Sequence, residues 1–201
     1  MDRRDFLRQS GLAAGYGLMA GAATGASGGV AIVLDPDDPV AASAPARWAA
    51  RELAQSLSAQ GVSVAQLTRA DQAAIGSLCI VAAGRAAALA HGVLKAAGVS
   101  LSQEPESLAL APGRVGNRPV LLACGSDARG LVYALLELAD RVRMGAEPLA
   151  ALAVPKPVVE RPANRIRSVA RAFVSDVEDK EWYNDRVMWP EYLSMLATQR
   201  L

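Results

Sequence analysis

The sequence predicts an α/β fold in which helices pack on a mixed β-sheet. Short apolar runs, which are typical of buried strands, alternate with amphipathic helical segments over residues 29–153. The turn at residues 113–117 is too short to hold a crossover helix, so the strands on either side of it are predicted to form an antiparallel hairpin. Parallel pairing of the helix-linked strands, together with this hairpin, makes the sheet mixed.

The predicted strands are short and bounded by turn residues. The first ends at Asp35-Pro36, and the third and fifth are continuous apolar runs that indicate buried strands. The second is predicted to be more exposed, and the fourth alternates only weakly. The strands cover residues 30–34, 62–67, 78–82, 107–111 and 120–124.

Three amphipathic helices connect these strands. Pro45 stands at a first-turn position of the first helix, and Gly61 ends that helix. The second helix covers residues 85–97. The third follows a turn in which Ser126 or Asp127 can cap the first free N–H groups. Its apolar face consists of Leu131, Leu135, Leu138 and Val142.

The composition is that of a folded chain without a marked charge. The 201 residues are 52% hydrophobic and 20% charged, which excludes a wholly disordered chain. Lys and Arg total 21 against 20 Asp and Glu, so there is no basic field for nucleic acid, and no nucleic-acid partner is expected. Two cysteines and one histidine exclude a disulfide scaffold and disfavour a zinc site, so neither a metal nor another cofactor is expected.

Residues 1–28 resemble a twin-arginine signal peptide. Arg3, Arg4, Phe6 and Leu7 match its core, and a run rich in glycine and alanine follows them. This run is shorter than the roughly 20 apolar residues that span a bilayer, so no stable membrane span is expected. The resemblance implies transport by the twin-arginine export machinery to the bacterial periplasm or outside the cell. The alternative is an amphipathic N-terminal helix, which the glycines disfavour.

Composition changes at residues 154–164, where three prolines predict a stiff, extended connector. Beyond it, residues 166–174 are predicted to form a strand, and Pro190 opens a helix. One strand and one helix cannot form a core, so we expect residues 165–201 to be an incomplete piece of a larger unit. The predicted apolar face of the helix consists of Trp189, Leu193, Leu196 and Ala197.

Three stretches resemble segments of glycoside hydrolases. Residues 120–138, with Gly-Ser-Asp-Ala-Arg-Gly between strand and helix, are similar to the end of the small α/β domain that precedes the catalytic barrel in family 20 β-hexosaminidases and family 67 α-glucuronidases. Residues 165–173 resemble the first strand of that barrel, and residues 189–200 resemble its first helix. The resemblance implies a small mixed-sheet domain followed by the first β-α unit of a truncated (β/α)₈ barrel.

The same resemblance implies a function. The chain would be the non-catalytic N-terminal domain of an exported glycoside hydrolase whose substrate is an oligo- or polysaccharide. In these families the catalytic carboxylic acids come from later barrel strands, so we expect no catalytic residue and no activity in this chain. The alternative is a small exported α/β module that binds a partner and has no enzymatic activity.

The loop after the predicted barrel strand provides candidate substrate-binding residues. In (β/α)₈ enzymes such loops build the active-site face, and this loop carries Asp176 and Glu178. Trp182 and Tyr183 would suit stacking on a sugar ring. The alternatives are a solvated acidic loop and aromatic side chains that pack beneath it.

Two arginines of the predicted strand complete the candidates. Arg167 and Arg171 share one face of the strand. In the families that the segment resembles, an arginine near the first strand contacts the sugar, and Arg167 is the residue here that matches it. The alternative for Arg167 is a salt-bridged arginine at the base of the barrel.

Other motifs favour structural roles. Gly125 and Gly130 have the outer spacing of a phosphate-binding loop, but no Lys-Ser or Lys-Thr pair follows them, so a tight strand-to-helix turn is favoured. His91 is predicted to lie at the surface or half-buried. Cys79 and Cys124 lie in apolar strands, where buried free thiols are favoured over a disulfide.

Overall fold

A computed structural model describes residues 29–169 and 183–201 of the chain. The strands are β1 (Val30–Leu34), β2 (Val64–Leu67), β3 (Leu78–Gly84), β4 (Leu108–Val115), β5 (Arg118–Gly125) and β6 (Val158–Glu160). The helices are α1 (Ala44–Ala59), α2 (Ala88–Ala96), α3 (Ala128–Met144), α4 (Pro148–Ala151) and α5 (Met188–Thr198), with a short 3₁₀ turn at Ala70–Gln72. In the described part of the chain, no helix is long and apolar enough to cross a membrane.

The six strands form one mixed sheet in the order β2-β1-β3-β5-β4-β6. The first four in this order are parallel, whereas β4 runs antiparallel to both of its neighbours, β5 and β6. The predicted hairpin is β4–β5, which turns at Gly116 with a φ of 58°, a conformation that glycine adopts without strain. The predicted mixed sheet with helices packed on it is confirmed.

Alternation along the strands divides the core into two layers. Ile32, Ile80 and Leu110 are fully buried and belong to the layer that α1 and α3 cover. Val81 and Leu122 point to the opposite face, where α2 covers them. The sheet is therefore buried on both faces, as parallel strands require.

Side-chain caps fix where the helices start. Ser43 Oγ accepts the N–H of Ala46 at 3.3 Å at the start of α1, and Pro45 lies in the first turn as predicted. At the start of α3, Asp127 Oδ1 accepts the N–H of Gly130 at 2.8 Å. The predicted capping role of Asp127 is confirmed.

The predicted connector contributes a strand to the sheet. Leu108 pairs with Glu160 and Leu110 pairs with Val158, so β6 covers the edge that β4 would otherwise expose. The sheet thus extends past residue 153, where the α/β domain was predicted to end, and residues 154–164 are not a connector alone. An extended segment next to an open edge of a sheet gains a ladder of hydrogen bonds with the edge strand. The sequence of residues 154–164 alone does not indicate that such an edge lies beside it.

The part of the chain after β6, residues 161–201, is called the C-terminal segment, and it differs in part from its prediction. Residues 166–169, the described part of the predicted strand at 166–174, are not in a strand, and the remainder lies outside the described residues. The predicted helix is confirmed as α5, which begins two residues before Pro190 and packs along α3. On its predicted apolar face, Leu193 is exposed and Ala197 contacts the core.

Both cysteines are buried free thiols, as predicted. Burial raises the pKa of the Cys124 thiol to about 12 and also raises the pKa of the Cys79 thiol. The thiolate of each is thus disfavoured in the folded chain. His91 is exposed on α2, which also agrees with the prediction.

The raised pKa of Cys124 predicts a loss of stability at high pH. The unfolded thiol ionises near 9.0 and the folded thiol has its pKa raised to about 12, so its contribution is complete below the first value and is lost as the pH rises to the second. We expect the free energy of unfolding of the wild type to fall more steeply across this interval than that of Cys124→Ala, in urea titrations at a series of pH values. Parallel curves for the two proteins would contradict the prediction.

Candidate functional site

The carboxyl edge of the parallel strands is where α/β sheets usually bind ligands, at the point where successive connections diverge. Here that point lies between β1 and β3. The chain goes from β1 to β2 at one edge of the sheet, whereas it goes from β3 to β4 near the opposite edge. Any crevice for a ligand would open between Asp35 and Gly84, at the ends of these strands.

The loop after β1 closes the Gly84 side of this crevice. Asp38, which is buried, accepts the N–H of Gly84 on Oδ2 at 2.5 Å and the N–H of Val40 on Oδ1 at 2.9 Å. A Cβ on Gly84 would lie 2.7 Å from the Cβ of Val40, which shows how tightly the loop after β1 sits on the end of β3. The loop therefore packs directly on the backbone of Gly84.

The part of the crevice that stays open is a groove of about 280 Å³, lined at the ends of the strands by Asp35, Asp38 and Ala83. Two further charged groups that line it, Arg69 and Asp71, pair with each other. Arg69 donates to both carboxylate oxygens of Asp71, at 3.2 and 3.0 Å. This hydrogen bond lowers the pKa of the Asp71 carboxyl. The Arg69 side of the groove therefore presents a salt bridge in solvent and not an unpaired acid or base.

The end of β5 carries the strand-to-helix turn whose sequence resembles the glycosidase motif. Asp127 caps α3 with one oxygen and accepts the N–H of Glu106 with the other, at 3.0 Å. Ser126 Oγ accepts the N–H of Ser107 at 3.0 Å. The turn therefore holds the loop before β4 against the start of α3.

The glycines of this turn serve close backbone packing. A Cβ on Gly130 would overlap the carbonyl oxygen of Ser107, and a Cβ on Gly125 would overlap the backbone of Leu131. A tight structural turn, as favoured from the sequence, fits these contacts, whereas a phosphate cradle would leave open space above the backbone.

Glu106 joins this turn to the C-terminal segment. Its Oε1 accepts Arg129 Nη1 at 2.6 Å, and its Oε2 accepts Arg167 Nη2. The Glu106 side chain is 15% exposed and that of Arg167 is 22% exposed. We call Glu106, Asp127, Arg129 and Arg167 the Glu106 cluster.

A cleft of about 750 Å³ opens beside the Glu106 cluster. At this cleft Arg161 and Glu104 form an exposed ion pair, with Nη1 of Arg161 3.0 Å from Oε1 of Glu104. The cleft is lined by Glu104, Pro105, Glu106, Arg161, Pro162, Ala163, Asn164 and Arg165. It thus lies between the α/β unit and the segment that follows it.

The structure places two of the predicted substrate-binding residues. Arg167 belongs to the Glu106 cluster. Tyr183 is exposed before α5, and its ring meets that of Trp189 edge to face, with centroids 5.9 Å apart. Their binding of a sugar stays a prediction.

The other predicted site residues lie outside the described residues. They are Arg171, Asp176, Glu178 and Trp182, and, in the export signal, Arg3, Arg4, Phe6 and Leu7.

Sequence reasoning missed Glu106 and the role of Arg129. The one available signal was the Asp-x-Arg-Gly turn, which indicated a capped helix but not the partners of Arg129. Both oxygens of Asp127 accept backbone N–H groups and both oxygens of Glu106 accept arginine N–H groups. These acids therefore tie the loop before β4 and Arg167 to the start of α3. Among residues 29–169 and 183–201, no group of three or more His, Cys, Asp or Glu could hold a metal ion.

The comparisons with known proteins give a structural likeness alone. No protein-family model and no curated protein matches the chain. Among solved structures, the chain is similar to a GH138 enzyme targeting pectin rhamnogalacturonan II, with 18% identity, 86% of this chain covered and a TM-score of 0.51. The match covers 18% of that enzyme's chain. The chain thus shares its fold with a small part of a glycoside hydrolase.

Proposed function

We propose that this chain is the non-catalytic N-terminal part of an exported glycoside hydrolase, in which the α/β unit holds the beginning of the catalytic domain. The observation that carries this proposal is the Glu106 cluster, which ties the α/β unit to the segment that resembles the first barrel strand. The fold shared with part of a GH138 enzyme supports the same conclusion. The likeness to families 20 and 67 rests on the sequence resemblance, chiefly that of residues 120–138.

The distribution of exposed apolar side chains also supports the proposal. Of the nine large hydrophobic side chains that are exposed in the described residues, seven follow residue 158. They are Val159, Ile166, Val169, Tyr183, Val187, Leu193 and Met195. This concentration of exposed apolar side chains in one stretch of the chain fits a segment that packs against further protein.

A polysaccharide is the substrate class that we propose for the complete enzyme. The GH138 enzyme is described as targeting pectin, which is a polysaccharide, and we carry over only that class. A polysaccharide does not cross the bacterial inner membrane readily, so export of the enzyme fits this substrate. The pair Arg3-Arg4 followed by Phe6 and Leu7 supports transport by the twin-arginine machinery.

Activity assays on two proteins test the proposal. We expect the purified 201-residue chain to release no aglycone from aryl glycosides and no reducing sugar from pectic polysaccharides. We expect the complete reading frame around it to encode roughly 250 further residues of alternating strands and helices, as a (β/α)₈ barrel needs, and to be active. Turnover by the purified chain would contradict the non-catalytic role. A reading frame without such a continuation would contradict the proposal that the chain is part of a glycoside hydrolase.

Localisation is tested separately. For this test, residues 1–28 are fused to a reporter, a fluorescent protein that must fold before it is exported. The wild-type segment should deliver the reporter to the periplasm, and the double variant Arg3→Lys/Arg4→Lys should retain it inside the cell. Equal export of both would contradict the twin-arginine assignment without affecting the enzymatic proposal.

One observation favours the alternative of a binding module. Trp189 contacts Tyr183 and Tyr192 edge to face, with ring centroids 5.9 and 6.1 Å away, so three aromatic rings lie together at α5. Aromatic faces stack on sugar rings. Sugar binding that Tyr183→Ala abolishes would fit both functions, so the reading frame distinguishes them: a frame that does not encode a barrel would favour the module.

A further inference from the structure

Glu106 holds one arginine from each of two segments that are far apart in sequence. Arg129 lies in the first turn of α3, and Arg167 lies beyond the sheet, 61 positions after Glu106. Each contact joins opposite full charges through a hydrogen bond, the strong class of such bonds. Because the Glu106 carboxylate is largely buried, solvent screens it less than it screens a surface pair.

The backbone at Glu106 adopts a conformation that its side chain disfavours. Its φ is 65°, in the left-handed region where glycine or asparagine is usual. Asp127 Oδ2 holds it there by accepting its N–H. A glycine would fit this backbone with less strain, but it would lack the carboxylate that binds Arg129 and Arg167.

We infer that Glu106 is a positioning residue, which fixes the path by which residues 161–169 leave the α/β unit. The strained backbone directs its carboxylate towards the start of α3. There the carboxylate receives Arg167 while Arg129 keeps it in place. This inference concerns contacts within the chain and holds whether or not the proposed glycosidase function is correct.

The chain offers a matched control on the same loop. Glu104 also pairs with an arginine of the C-terminal segment, Arg161, at 3.0 Å. Their side chains are 53% and 67% exposed, and an exposed pair of this kind contributes little. Glu104→Gln and Glu106→Gln each remove one negative charge from the same loop. The first removes it from an exposed side chain and the second from a largely buried one.

Limited proteolysis of the full chain with thermolysin tests the inference. This protease cuts before apolar residues and finds Ile166 and Val169 exposed beside the cluster. We expect Glu106→Gln to speed cleavage at these sites about tenfold, and Glu104→Gln to change it less than about twofold. Glu106→Gly should match Glu106→Gln, although it relieves the backbone strain.

Hydrogen exchange separates a positioning role from a merely structural one. In Glu106→Gln, exchange should accelerate at the amides of residues 158–169 and stay unchanged in the middle of α3. Arg167→Gln should reproduce this pattern at residues 158–169. The double variant Glu106→Gln/Arg167→Gln should add little there to either single change, because each of these already removes the ion pair between Glu106 and Arg167. Should the Glu106 variants not fold, Arg167→Gln alone carries the test. Equal cleavage of the Glu104 and Glu106 variants, acceleration throughout α3, or no effect of Arg167→Gln would each overturn the inference.

Discussion

Replacing Gly130 with alanine should lower the free energy of unfolding by about 2–3 kcal/mol, the range of a steric overlap that the surroundings cannot relieve. The added methyl group would overlap the carbonyl oxygen of Ser107. That carbonyl belongs to backbone which hydrogen bonds from Glu106 and Ser107 tie to the turn before α3. A flexible side chain could move aside, whereas this backbone cannot move without breaking those bonds.

Gly92 provides the matched control, because it is also a helical glycine. On α2, nothing lies within 4 Å of the position that its Cβ would take. Gly92→Ala should therefore raise the free energy of unfolding by about 0.5–1 kcal/mol, through the helix propensity of alanine alone. Urea denaturation measures both changes. Shifts of the same sign would show that Gly130 is not in the close contact described.

Local patterns predicted five of the six strands and the main helices, because each of these elements carries its own periodicity. β1, β3 and β5 are apolar runs that any position in a buried sheet would accept. β6 has only three residues and no alternation, and it is a strand because β4 lies beside it. No reading of residues 158–160 alone contains that information.

The candidate site was less predictable, for the same physical reason. Asp127 was identified as a cap because its partner, Gly130, lies three residues away. Glu106 receives hydrogen bonds from residues 23 and 61 positions distant, and nothing near it in sequence indicates either. The sequence indicates Arg167 as a sugar-binding or salt-bridged arginine, but only the fold shows which carboxylate it meets.

Asp38 gives the second large expected effect. Its carboxylate accepts the N–H groups of Gly84 at 2.5 Å, Val40 at 2.9 Å and Ala41 at 3.4 Å, all within the crevice between β1 and β3. Asp38→Ala leaves these donors without that acceptor, and the N–H of Gly84 is buried with it. An unsatisfied buried donor costs about 1–3 kcal/mol, so we expect a total loss of about 3 kcal/mol in the free energy of unfolding.

Asp37→Ala and Asp38→Asn sharpen this measurement. Asp37 is exposed one residue away, so its alanine variant should change stability by less than about 0.5 kcal/mol. An asparagine in place of Asp38 would keep one carbonyl oxygen and would place an N–H₂ group against a backbone donor, so Asp38→Asn should fall between the wild type and Asp38→Ala. If Asp38→Ala were as stable as Asp37→Ala, the hydrogen bonds of Asp38 would not be what holds the loop over the end of β3. A loss of the expected size would instead mean that this loop, which borders the groove at the ends of β1 and β3, helps to hold the domain together.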